Sequence, residues 1–252
     1  MAGRSMLCAA ASITVALLLS PALPTAAHAG DDDPSARALA DEARDHLLAA
    51  RSVHLTFADR ARNTGRTVPA SVDVVLDRAG DCVGELVMNA GGGSVELIKR
   101  GDQVWMKPDT AFWKAQLPGR QGEAVAGIVK DRYIHGSTHD TVLRGMAHTC
   151  DLSAFQRQAA DGSSHDAKLT KGKETTREGT EVIPLNGTKD GKKAVLYVTS
   201  AAPHRLVEAT RKGGGTDQSL TFTDYDKPVP SATPPARDSV DVRKLLQELR
   251  NA

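Results

Sequence analysis

Neither sign of charge prevails in this sequence. Its 252 residues carry 32 Lys and Arg against 31 Asp and Glu. Arg4 is the one such residue among the first 29, which leaves 31 of each sign from Gly30 onward. That balance lacks the basic excess or stripe by which a nucleic-acid binder is recognised, so no nucleic-acid partner is expected. Also missing is a run of about 20 apolar residues, the length a membrane-spanning helix needs. No G-x-S-x-G elbow, Walker loop, G-x-G-x-x-G or H-E-x-x-H occurs. Serine-nucleophile, phosphate-cradle and zinc-protease chemistry therefore have no local signature. His135 and His139 stand four apart with His148 nearby, but Gly136 interrupts a helix there and no glutamate of the zinc motif lies between them. They read as surface histidines, and Asp31-Asp32-Asp33 as a solvated N-terminal stretch. No catalytic residue, metal or cofactor is expected, and the protein is not expected to be an enzyme.

Cysteine is scarce, and its placement is informative. Residues 1–29 have the layout of a cleaved secretory signal: Arg4, an apolar stretch Ala9–Leu19 broken by Pro21 and Pro24, then Ala27-His28-Ala29 as the small-x-small cut. The alternative is an uncleaved anchor. Cys8 precedes the apolar stretch, and no cysteine stands at the cut, so a lipid-modified N-terminus is not expected. The expected location is secreted or in the cell envelope, held there by non-covalent contacts. Cys82 and Cys150 remain. Outside the cytoplasm two cysteines usually pair, so a Cys82–Cys150 disulfide is expected; two buried free thiols are the alternative.

Periodicity gives the elements. Asp33-Pro34 is a helix start, and Ala36, Leu39, Ala40, Ala43 and Leu47 recur at helical spacing to about Ala50. The period then changes to two. Val53, Leu55 and Phe57 alternate with polar residues, as do Val72, Val74 and Leu76 after a turn at Asn63-Thr64-Gly65. Cys82–Met88, Val95–Lys99 and Gln103–Lys107 follow, with glycine turns between them, as an antiparallel meander with one apolar face. Pro108–Asp140 lacks alternation: Phe112 and Trp113 read as a loop, and residues 123–133 as a short helix. Leu143, Met146, Ala147 and Cys150 lie on one stripe of a helix started by Asp140. Strands resume from Ala167, with Glu181–Leu185, Lys193–Thr199, His204–Arg211 and Ser219–Tyr225 as the candidates and Asn186-Gly187 and Asp190-Gly191 as turns. Asn186-Gly187-Thr188 also matches a glycosylation acceptor, but the turn reading comes first. Residues 228–235 (PVPSATPP) form an extended strap, and 239–250 a final helix with Val242, Leu245, Leu246 and Leu249 on one face.

The segment VELIKRGDQVWMKPDTAFW at 95–113, the ending LTFTDYDKPVPSATPP at 220–235 and this element order resemble the mycobacterial and streptomycete envelope lipoproteins of the LppX/LprG type. That actinobacterial family shares a half-barrel with the lipoprotein carrier LolA. The resemblance implies an α+β domain over residues 30–252, in which a strongly curved antiparallel sheet wraps around helices. It further implies an apolar cavity between sheet and helices that holds a lipid or another apolar molecule. The expected cavity wall is Val53, Leu55, Phe57, Val72, Val74, Leu76, Leu86, Met88, Leu97 and Trp105, although the same residues would serve as ordinary core. Trp105 is out of phase with Val104 and Met106, so either it or its two neighbours face inward. Phe112 and Trp113 are the expected lid or membrane contact. A monomer is expected, with peripheral membrane or envelope-protein contact. The alternative function is a protein-interaction or envelope-sensing module on the same fold with a filled core.

Overall fold

A computed structural model describes residues 34–61, 65–117, 119–161, 168–189 and 191–251. The signal segment, the Asp33 cap and the Asn63-Thr64 part of the first turn lie outside the described residues. In chain order the elements are α1 (Pro34–Ala49), β1 (Ser52–Asp59), β2 (Pro69–Asp77), β3 (Cys82–Met88), β4 (Ser94–Arg100), β5 (Gln103–Pro108), α2 (Thr110–Gln116), α3 (Gln121–Val129), β6 (Tyr133–Ser137) and α4 (Thr141–Ala147). Then come α5 (Leu152–Asp161), β7 (Leu169–Lys171), β8 (Thr175–Arg177), β9 (Thr180–Lys189), β10 (Lys192–Thr199), β11 (Leu206–Gly213), β12 (Thr216–Thr223), β13 (Ser239–Asp241) and α6 (Val242–Asn251). The result is an unclosed, antiparallel-rich sheet of 13 strands with helices, the α+β class expected from the sequence.

The chain divides into two compact units. The first holds β2–β6, α2–α4, β13 and α6, with strand order β13-β6-β5-β4-β3-β2. Its pairs are antiparallel except β13 with β6, which run parallel. The second unit holds α1, β1, α5 and β7–β12, with order β1-β12-β11-β10-β9-β7 and β8 also on β9.

Within the first unit the period-two pattern becomes a buried face. Residues directly opposite in an antiparallel pair share a face, and the register sets Val72 against Leu86, Leu86 against Val95, and Leu97 against Met106. Met106 in turn faces Ile134. Leu143 and Ala147 of α4 and Val125 and Val129 of α3 are buried with them. Cys82 and Cys150 form a disulfide with a Cα–Cα distance of 5.4 Å, as expected. Gly84 is required by close approach: a Cβ there would stand 2.0 Å from the Asp73 carbonyl oxygen.

The second unit is tied together by a polar side chain. Ala36, Ala43 and Leu47 make the buried stripe of α1, but the last carbonyls of a helix have no partner within it. Gln156 of α5 supplies one, donating through Nε2 to the carbonyls of Leu47 and Ala50, each at 2.9 Å.

Three expectations change on contact with the structure. Phe112 and Trp113 lie in helix α2, whose start is fixed by Asp109, the carboxylate of which accepts from the Phe112 N–H at 2.7 Å. Asn186-Gly187 is no turn: both lie inside β9, opposite Val195 and Ala194 of β10. Glycine fits there because β7 closes on the other side, and a Cβ would meet Leu169 Cδ2 at 3.1 Å. Finally, β6 and β13 are strands too short to show a period: the helix expected over 123–133 ends at Val129 as α3, before β6, and the helix expected over 239–250 starts only at Val242, after β13. The Pro-rich strap follows the expected course, and Arg100 of β4 holds it by donating to the Pro230 carbonyl.

Candidate functional site

The expected wall residues fall in two different units. Val53, Leu55 and Phe57 belong to the second; Val72, Val74, Leu76, Leu86, Met88 and Leu97 belong to the first. All nine are buried, Phe57 being the most exposed at 7%. Trp105 is the correction. Its neighbours Val104 and Met106 are buried at 0% and 3%, so β5 presents them inward and Trp105 to the other face. There its ring stacks on His135 at 4.6 Å between centroids, and His135 Nε2 lies 2.7 Å from Gln103 Oε1. Phe112 and Trp113, the expected lid, are buried at 5% and 8% and meet edge to face; as core residues of α2 they offer no exposed aromatic surface.

The outer face of the first unit also carries an ionic triad. Tyr133 Oη donates to Glu96 Oε2 at 2.6 Å, and Lys107 Nζ donates to Glu96 Oε1 at 3.0 Å. Burial alone would raise the Glu96 carboxyl, but the hydrogen bonds from Tyr133 and Lys107 outweigh it and hold it below the usual range. Burial first, and then the Glu96 charge, push the Tyr133 phenol up to about 12. The triad uses all its groups on one another, which is a structural arrangement. Among the described residues no group of three or more His, Cys, Asp and Glu is placed to hold a metal.

The helix-facing side of the second unit differs from that of the first. Its rows read Leu55 with Phe222, then Phe57 with Leu220 and Ala209, and Ala209 with Leu196 and Leu185. Phe155 of α5 lies on this side, 5.9 Å from Phe222 between ring centroids. Leu196, Ala209 and Phe155 are only half-buried, although they occupy the middle of the face. In the first unit the matching middle positions, Leu97 and Met106, are closed at 0% and 3%. The middle of this face in the second unit therefore keeps some apolar surface exposed where the matching positions of the first are closed.

The sequence reading missed Leu196 because Ala194-Val195-Leu196-Tyr197-Val198 is apolar at every position. The outer face of the same sheet has its own small cluster of Val182, Tyr197 and Val207, with Val195 against it. Arg177 of β8 covers that cluster, its guanidinium 4.2 Å from the Tyr197 ring centroid. With both faces apolar, alternation loses its phase.

No protein-family model matches the chain, and no curated protein matches it in sequence. Solved structures do match. The chain is similar to the lipoprotein LppX of Mycobacterium tuberculosis, with a TM-score of 0.50 and 16% identity over 79% of this chain and 100% of that one. It is similar to LprF of Mycobacterium bovis at a TM-score of 0.56 and 15% identity, over 82% of this chain and 100% of that one. At these identities the likeness is one of fold, and the fold is the LolA-like one that residues 95–113 and 220–235 led us to expect.

Proposed function

We propose that the protein binds, and transfers, a lipid or another apolar molecule outside the cytoplasmic membrane, on the helix-facing side of its second unit. The observation that carries this reading is the half-buried trio Leu196, Ala209 and Phe155 in the middle of an otherwise closed apolar face. Transfer of an acyl chain from water gains about 0.8 kcal/mol for each methylene buried, so even a modest apolar opening suffices to hold one. The shared fold with LppX and LprF supports the reading at the level of architecture. The exported, envelope-associated location rests on residues 1–29 as a signal, and no described helix is long and apolar enough to cross a membrane. No step in this function requires bond making, and the protein acts as a binder and not as an enzyme.

A second reading, an interaction or sensing module with a filled core, is favoured by the first unit, whose sheet face is closed throughout. Titration with an apolar fluorescent probe separates the two. Saturable binding that lipid displaces and that Leu196→Lys abolishes supports the carrier. A folded protein that takes up no probe supports the interaction module.

A further inference from the structure

Arg211 stands at the end of the helix-facing side of the second unit. Beyond the row of Ala209 and Leu220, the next inward row sets Ala194 against Arg211, Arg211 against Gln218, and Gln218 against Asp59. Arg211 thus shares a face with Phe57 and Leu220. Its side chain is half-buried, and among the described residues its Nε is buried without a hydrogen-bond partner, which is costly for a polar group. The acid on its face, Asp59, lies two strands away and is already engaged. Asp59 accepts from Gln218 Nε2 at 3.2 Å and from the Ala61 N–H at 2.9 Å. Asp217 points to the opposite face, toward Lys212 at 3.5 Å. Two residues beyond Ala194 on β10, and on the same face, stands Lys192, a second cation. On one side of Arg211 the row continues through two small residues, Ala194 and then Gly187, before Leu169 closes it.

We propose that Arg211, assisted by Lys192, receives the acidic headgroup of an amphiphile whose tail lies along Leu196, Ala209 and Phe155. This inference rests on the lipid-binding reading above and adds the ligand's charge class. The guanidinium presents a planar fork of donors that matches a carboxylate or a phosphate in two parallel hydrogen bonds. A headgroup there would supply the partner that Nε lacks, while the tail covers the open apolar trio.

The test uses the full exported chain and four probes: palmitic acid, dioleoyl phosphatidic acid, neutral dioleoylglycerol and inorganic phosphate. Each is titrated against the unaltered protein, Arg211→Gln and Arg211→Lys. The expected result is a preference of about tenfold or more for the two acidic lipids over the neutral one, the scale of a charge-assisted contact. Arg211→Gln removes that preference; Arg211→Lys, which keeps the charge, retains part of it. Equal affinity for acidic and neutral lipids, or a preference that survives Arg211→Gln, overturns the headgroup site and leaves the carrier reading standing. Inorganic phosphate that binds as tightly as the acidic lipids also overturns it, in favour of a free-anion site. Failure of every lipid to bind overturns the carrier reading and this inference together.

Discussion

The sulfurs of Cys82 and Cys150 are bonded, joining the first residue of β3 to the turn after α4 across 68 residues of chain. Both are buried, at 0% and 1%, so the bond lies under the sheet face it fastens. Restricting a loop of that length in the unfolded chain makes the disulfide a large contributor to stability. Replacing both cysteines by alanine is expected to cost about 2–5 kcal/mol, measured by urea denaturation of the variant beside the unaltered protein. An unchanged midpoint would remove the bond from the account of stability.

Gly84 packs directly on the neighbouring strand, with the Asp73 carbonyl oxygen 2.0 Å from where a Cβ would stand. Gly84→Ala forces β2 and β3 apart or off register. The expected loss is about 1–3 kcal/mol or more, the range for overpacking a closed interior. Thermal unfolding reads it, and a variant as stable as the parent would mean that the two strands pack less closely than described.

Gln156 is a buried polar residue with a defined task, the two carbonyls of Leu47 and Ala50. Gln156→Ala leaves both without their side-chain donor and is expected to cost about 1–3 kcal/mol. Hydrogen exchange at the end of α1 should accelerate in the same variant. Exchange confined to its original rate would show that α1 is held by packing alone.

The Tyr133–Glu96 pair gives a pH dependence with a definite sign. The Tyr133 phenol is raised from 10.0 to about 12 in the folded protein. Its contribution is therefore full below the unfolded value and is lost as pH rises between the two. Glu96 has the opposite sign: its depressed carboxyl contributes above the unfolded value, and that contribution is lost as pH falls through the folded one. Tyr133→Phe should abolish the alkaline loss, so that the stability difference between parent and variant shrinks from about pH 9 to about pH 11.5. A difference independent of pH over that window would contradict the pairing.

Much of the fold was legible from period and punctuation. Val53-Leu55-Phe57 and Val72-Val74-Leu76 alternate cleanly because their other faces are polar, and the disulfide followed from the expectation of export and the stripe of α4. Legibility failed where local chemistry was overridden or ambiguous. Asn186-Gly187 has the chemistry of a turn, yet β9 runs through it because Leu169 needs the space a glycine leaves. Phe112 and Trp113 followed a proline and looked like loop, but Asp109 caps a helix there. The candidate site was the least legible part. Leu196 lies in a strand apolar on both faces, and Arg211 is one basic residue among many until the register shows which face it shares.

The central claim is that this protein carries a lipid, and the most direct measurement is mass spectrometry of lipids extracted from the protein after detergent-free purification from its native secretion route. A lipid present in stoichiometric amount, and lost from the Leu196→Lys variant, is the expected result. A protein that emerges without lipid, and takes none up from offered vesicles while remaining folded, would contradict the claim.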